Sequence, residues 1–309
     1  MTEKILNVEV SPHIQTKSDV RSIMRDVIIS LLPALAASVM FFGLKMLLLV
    51  FVSIATCVVS EYIFCRFSGR KPPIGDLSAV VTAILFVFVL PPSLPVWMVV
   101  IGGVVAIILG KQIFGGLGYN PFNPALISRA VLLASWPVQM TSWVRPFDGV
   151  SCASPLGIVK MQLTDALPSQ LEMFFGNRAG CIGETSALAL LLGAAYLLAR
   201  RHITLHVPLA YVGTVFAVSV IFKLDPLFNI MAGGLILGAF FMATDMVTSP
   251  MTGTGKVIYG LCCGLLTMLI RYKGGFPEGV CYAILIMNIA VPLLDRFTEY
   301  KPFGYLKKS

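Results

Sequence analysis

The sequence predicts an all-α, polytopic membrane protein with about ten transmembrane helices in two inverted five-helix repeats. Three observations carry that expectation. The 309 residues are 57% hydrophobic and only 12% charged, with mean hydropathy +0.87, whereas soluble domains carry roughly 25% charged residues. The apolar surplus is clustered: 27–64 holds only Lys45 and Glu61 as charges, and 77–110, 186–199, 226–244, 257–270 and 279–294 hold none. The halves also echo one another. Pro91 stands 24 residues before Gly115-Gly116, as Pro250 stands 24 before Gly274-Gly275. Each Gly-Gly follows a long apolar run and enters the next through a Pro-containing turn, Gly118–Pro124 or Phe276-Pro277-Glu278-Gly279. An odd number of spans per repeat inverts the second copy, and inverted repeats gather irregular backbone around a buried site near the midplane.

Taken in order, the expected spans are 27–44, 46–64, 77–90, 96–110 and 124–136, then 183–199, 205–221, 228–243, 256–270 and 280–294. Runs near 20 apolar residues are what the hydrocarbon core requires, and the shorter runs imply tilt or broken helices. Pro33, Gly43 and Pro208 are candidate bends. The chain divides into a first unit with its N-terminal arm, 1–136, a polar central segment, 137–182, and a second unit with a tail, 183–309. The arm mixes Glu3, Glu9, Asp19 and Asp26 with its basic residues, unlike a cleavable signal peptide.

Basic residues give the orientation. With ten spans, fifteen Lys and Arg fall on the side of the termini: Lys4, Lys17, Arg21, Arg25, Arg66, Arg70, Lys71, Lys111, Arg200, Arg201, Lys256, Arg296, Lys301, Lys307 and Lys308. Seven fall opposite: Lys45, Arg145, Lys160, Arg178, Lys223, Arg271 and Lys273. Both termini are therefore expected in the cytoplasm and the central segment outside. The same asymmetry accounts for the net charge of +8 without nucleic acid. Arg129, inside the fifth span, must snorkel or find a partner.

Few residues suggest chemistry. Seven cysteines show no CxxC spacing, and His13, His202 and His206 form no ligand set, so no metal is expected. Cys152 and Cys181 share the central segment and are a possible disulfide. No nucleophile–base triad or phosphate loop is present. Asn123-Pro124 reads as a helix start, Asn capping and Pro at the first position. Asn120 and Asn123 either both cap a re-entrant turn or present amides suited to the donor and carbonyls of a flavin edge. Asp148-Gly149-Val150-Ser151-Cys152-Ala153-Ser154-Pro155 is a small-residue segment. Composition alone makes it a simple loop; its alternative use is an accessible hydroxyl for covalent flavin. Thr185 is a second exposed hydroxyl, with helix capping by Thr185 or Ser186 as the simpler account. Glu61, Asp76, Thr244 and Asp245 stand near span ends, where acids serve capping, interfacial exposure or ion pathways.

These pieces in order resemble the D subunits of Rnf ion-translocating electron-transport complexes and the related B subunits of sodium-pumping NADH:quinone reductases (the RnfD/NqrB family). The resemblance runs through Pro91-Pro92, Lys111-Gln112 to Ala125, Pro137–Trp143, Asp148–Leu156, His206–Leu209, Leu237–Phe241, Thr244-Asp245 and Val291–Leu293. It implies two inverted five-helix units and FMN esterified to Ser154, a serine where the family usually has threonine, in a loop containing Asp148, Ser151 and Ala153. It also implies a noncovalent riboflavin on the cytoplasmic side, for which Asn120 and Asn123 are the candidates; Thr244 and Asp245 are further cofactor-binding candidates. Thr185 is the alternative acceptor or an FMN contact. The implied activity is electron relay within a prokaryotic inner-membrane complex of A, B, C, E and FMN-bearing G subunits, coupled to Na+ or H+ movement; the chain is not catalytic alone. A quinone-reducing B subunit is the alternative, though such a subunit is expected to have a longer arm before Val27. The other class is a non-redox channel. Asn123-Pro124-Ala125 would suit it, but the second half carries Pro277-Glu278-Gly279 instead.

Overall fold

The computed structural model describes residues 19–70, 73–163, 167–275 and 278–299. The expected arm and tail, with Lys4, Lys17, Lys301, Lys307 and Lys308, lie outside the described residues, as do Lys71, Phe276 and Pro277. The chain is an all-α membrane protein whose one sheet among the described residues is a two-stranded hairpin, β1 (Trp143–Val144) against β2 (Ser151–Cys152).

Helix α1 (Val20–Phe42) and helix α2 (Lys45–Phe67) each have 23 residues, or about 35 Å at 1.5 Å per residue, enough for a hydrocarbon core of about 30 Å. They join at Gly43, whose φ of 80° suits the one residue lacking a Cβ. Helix α13 (Gly253–Lys273) and helix α14 (Val280–Phe297) are also long and apolar enough to cross. The shorter apolar helices are α3 (Ser78–Phe88), α4 (Val96–Ile107), α5 (Pro124–Ser135), α9 (Ala187–Ala199) and α10 (His206–Ile221). α3 is buried on nearly every face, as expected of an all-apolar helix at the centre of a bundle. Small helices α6 (Pro137–Met140), α7 (Pro155–Met161) and α8 (Gln170–Phe175) fill the central segment.

One expected span is corrected. The run 228–243 is not one helix: α11 (Pro226–Met231) stops, Gly233 and Gly234 take φ of 66° and 68°, and α12 (Leu235–Leu237) passes into a widened π turn, Gly238–Met242. Side chains would not fit at the break. A Cβ on Gly233 would lie 2.4 Å from Leu156 Cδ1, and one on Gly234 2.7 Å from Glu184 Oε2. Arg271, expected in a loop, is buried and donates to the carbonyls of Asn229 (2.6 Å) and Ala232 (2.8 Å), satisfying the end of α11. A second π turn, Ile108–Gln112, ends α4.

Close packing depends on small residues, as in many membrane bundles. A Cβ on Gly193 of α9 would lie 2.0 Å from the Ser30 carbonyl oxygen of α1. On α13, Gly260 and Gly264 face α10, where added Cβ atoms would sit 2.8 Å from the Val207 carbonyl oxygen and 2.6 Å from Thr214 Cβ. One large apolar core draws on both halves, from Leu31 and Leu49 to Tyr259 and Ile284. Gly264→Leu should therefore force α10 from α13 and destabilise the fold by about 1–3 kcal/mol, read as a lower unfolding temperature in detergent. Gly213→Ala, with nothing within 4 Å of the new Cβ, should leave that temperature near wild type.

Candidate cofactor sites at the two ends of α5

The N-terminal end of α5 is set by Asn123, whose Oδ1 accepts from Ala125 N (3.1 Å) and Leu126 N (3.4 Å), with Pro124 in the first turn. Asn120 differs. Its Nδ2 donates to the Phe122 carbonyl at 3.0 Å, while its buried Oδ1 has no partner among the described residues. Both asparagines line an internal cavity with Thr244 and Asp245, two pairs that lie over 120 residues apart in sequence. The two π turns contribute Lys111, Phe240 and Phe241 to the same walls. The open space is about 90 Å³.

Acids here are more deeply engaged than interfacial exposure would imply. Glu61 is 1% exposed and accepts from Lys111 Nζ and Gln112 Nε2, both at 2.6 Å. Lys111, expected at a cytoplasmic loop, is equally buried and also donates to Ser78 Oγ. Asp76, one residue before the N-cap Leu77 of α3, accepts from Ser78 N at 2.8 Å. Asp245 accepts from Thr248 Oγ1 at 3.1 Å, and the Thr244 hydroxyl donates to Phe240 O at 2.6 Å.

At the other end of α5 a cavity of about 340 Å³ is lined by Leu133, Met140, Trp143, Ser154 and Tyr282, with Arg129 and Glu278. Its volume falls within the ~300–1,000 Å³ of ligand sites. Ser154 caps α7, accepting from Gly157 N at 3.2 Å. The expected accessibility of Ser154 is corrected: it is 6% exposed, its hydroxyl turned onto the first turn of α7. Ala153 lines this cavity and a larger one on the far side of the hairpin, which Ser151 and Asp148 also line. Lys160 ties α7 to the second Gly-Gly turn by donating to the Gly274 carbonyl, and its burial lowers its pKa below the usual lysine range.

Thr185 is likewise buried rather than exposed, at 1%. Its hydroxyl donates to Ile182 O at 3.3 Å, and Ser186 is the cap of α9, accepting from Ala189 N at 3.2 Å. Thr185 is not among the residues lining the Ser154 cavity. Cys152 and Cys181 pack in one small cluster with Trp143 and are not disulfide-bonded.

Between the cavities, Arg129 finds its partner: it pairs with Glu278, donates to the Val89 carbonyl and lies 3.0 Å from Cys181 Sγ. Cys181, Glu184 and Glu278 come close enough to hold a metal ion, an arrangement without a sequence signature because it joins two distant turns. The Arg129 guanidinium already occupies the partners Cys181 and Glu278, so no metal is assigned. Asn123, Leu126, Arg129 and Leu133 follow one face of α5 past both cavities and the small space between them. Ten residues of helix separate Asn123 from Leu133, about 15 Å of rise.

A model of the NQR2, RnfD, RnfE family matches residues 7–304. The chain is 46% identical over 311 residues to the D subunit of the Na(+)-translocating ferredoxin:NAD(+) oxidoreductase complex of Acetobacterium woodii, covering 99% of this chain and 98% of that one. It is 44% identical to the D subunit of the proton-translocating ferredoxin:NAD(+) oxidoreductase complex of Clostridium ljungdahlii, covering 98% and 97%. Identity to the D subunit of the ion-translocating oxidoreductase complex of Alcanivorax borkumensis is 35%, covering 97% of each chain.

Removing one member of a largely buried ion pair leaves the other charge stranded, whereas removing both is mild. Arg129→Gln should therefore destabilise the chain by about 3 kcal/mol, and adding Glu278→Gln should restore most of the loss. Thermal unfolding of both variants in detergent checks this double-mutant comparison.

Proposed function

Because the chain belongs to the NQR2, RnfD, RnfE family, we propose that it is the membrane-embedded D subunit of an Rnf-type ferredoxin:NAD+ oxidoreductase. In this reading FMN is esterified to Ser154 and riboflavin is held noncovalently by Asn120, Asn123, Thr244 and Asp245. The flavins supply electron transfer; this chain binds them, keeps them dry and fixes their separation. The partners are the other Rnf subunits, with the FMN-bearing G subunit nearest in the relay, and the complex couples transfer to Na+ or H+ movement. The chain sits in the inner membrane with both termini cytoplasmic, so Ser154 faces outward.

The single observation that carries this reading is the placement of the Ser154 cavity and the Asn120/Asn123 cavity at opposite ends of one helix, α5. The donor sets fit the groups. Ser154 lines a largely apolar space of about 340 Å³, and attachment would replace its O–H by O–P with net loss of water while Gly157 N–H still donates to it. The unpartnered Asn120 Oδ1 suits the one ring N–H of a flavin edge. The inner space of about 90 Å³ must widen to accept a flavin, and Met246 is an exposed part of its wall.

The inverted-repeat arrangement belongs to the same proposal, with units 1–136 and 183–309 flanking the segment 137–182. Corresponding irregularities support it. Leu77 and Gly234, at φ of 63° and 68°, precede the third helix of each unit, and Gly-Gly follows the fourth. The fourth helix of each unit packs glycines on the second: Gly103 meets Thr56 and Cys57, as Gly264 meets Thr214.

The chain, produced with its flavin transferase and run on a denaturing gel, should give a band fluorescing under ultraviolet light. Ser154→Ala should abolish that band and Thr185→Ala should keep it; a fluorescent Ser154→Ala band overturns the attachment site. Asn120→Ala should keep the band but lose most of the flavin that acid extraction releases from native protein.

A further inference from the structure

A separate cavity of about 630 Å³ opens on the face of the central segment, where α1 turns into α2. Two cations, Lys45 and Arg145, line it, and among the described residues no carboxylate does. Lys45 spends one of its donors on the Pro92 carbonyl at 3.2 Å. Among the described residues neither cation is in an ion pair. The wall between them is built, not incidental. Phe147 N–H donates to the Phe41 carbonyl at 3.0 Å, and the two rings meet edge-on with centroids 5.4 Å apart. Phe147 holds φ of 66°, an uncommon and costly conformation for a bulky residue, yet its side chain is left exposed.

The rim is apolar. Met40, at the end of α1, and Leu44, in the turn, are 76% and 75% exposed, and Leu47 and Leu48 continue the exposed surface along α2. The cavity therefore lies where two membrane-length helices end, the level at which cations and aromatic rings meet headgroups. We propose that this cavity binds the phosphate of an anionic phospholipid, with Lys45 and Arg145 as counter-charges and the acyl chains lying along Met40, Leu44 and Leu48. A soluble anion would share the charge contact but use none of the apolar rim, which is why the lipid is the favoured source. The site is separate from Ser154, and the proposal stands or falls independently of the flavin reading.

The test uses the full chain in detergent, native mass spectrometry, and three probes: phosphatidylglycerol, phosphatidylcholine and water-soluble glycerol phosphate. Phosphatidylglycerol should bind roughly tenfold or more tighter than phosphatidylcholine, as two surface cations imply, and glycerol phosphate should not compete with it. The double variant Lys45→Gln/Arg145→Gln should lose the preference. Lys223→Gln/Lys273→Gln, which removes the same charge elsewhere, should keep it, as should Lys45→Arg/Arg145→Lys. Equal binding of the two lipids, an unchanged preference in the double variant, or glycerol phosphate competing on equal terms would each overturn the proposal. So would a double variant that keeps the lipid but no longer co-purifies with an acidic partner protein, which would make the occupant a protein.

Discussion

The ion pair between Arg129 and Glu278 is the contact on which the arrangement of the two halves turns. Arg129 belongs to a helix of the first half and Glu278 to the turn entering the last helix of the second. A guanidinium facing lipid would be expensive, and a carboxylate in the same surroundings equally so. Each is tolerable only beside the other, so α5 and the start of α14 are fixed in one register. The Val89 carbonyl and the Cys181 thiol take up the remaining fork of Arg129, drawing the end of α3 and the edge of the central segment to the same point. Asn288 repeats the device farther along α14: in the amide orientation that satisfies its neighbours, it accepts from Asn123 N and donates to Thr248 O, both at 3.2 Å. α5 is thus held to the second half at its N-terminal cap and again at its midpoint.

Much of this was legible in the sequence where physics leaves little choice. A hydrocarbon core demands apolar runs, so apart from the broken 228–243 run helices occupy the expected intervals. Asn123-Pro124 could be read as a helix start because capping is local. What escaped depends on distance. Nothing in the sequence links Glu61 to Lys111 or Arg129 to Glu278, which are 50 and 149 residues apart. The break at Gly233-Gly234 is not legible because glycine is ordinary within membrane helices; Leu156, Glu184 and Arg271, from elsewhere in the chain, crowd out a side chain there. Small residues around Ser154 suggest an open loop, but smallness also permits close approach, and Gly157 of α7 sits against the Ser154 hydroxyl.

The irregular backbone is not spread evenly. Leu77, the two π turns and the Gly233-Gly234 break all lie beside a cavity or beneath buried charge. Backbone groups released by such irregularity cannot face lipid, and here side chains meet them: Arg271 at the end of α11, Asp76 at the start of α3, Arg178 on the Glu184 carbonyl. Polar side chains and broken helices are therefore one solution to one problem. Each break frees groups that need a partner, and buried Arg271 and Arg178 in turn find the carbonyls that they need at such irregular backbone.

That reciprocity explains why a short helix stands at the centre. α5 has twelve residues, about 18 Å, and alone would not cross a bilayer. Its N-terminal end instead stops inside the protein at buried Asn123, while Ser135 at the other end is exposed and leads directly into α6. A full-length helix would place its termini at the two surfaces and leave only packed side chains between them. A half-length one brings two polar turns, and the cavities beside them, to within about 15 Å of each other across ten residues of α5. The Arg129 pair is what lets the chain hold such a helix in place, because short apolar segments have little packed area of their own to fix their depth.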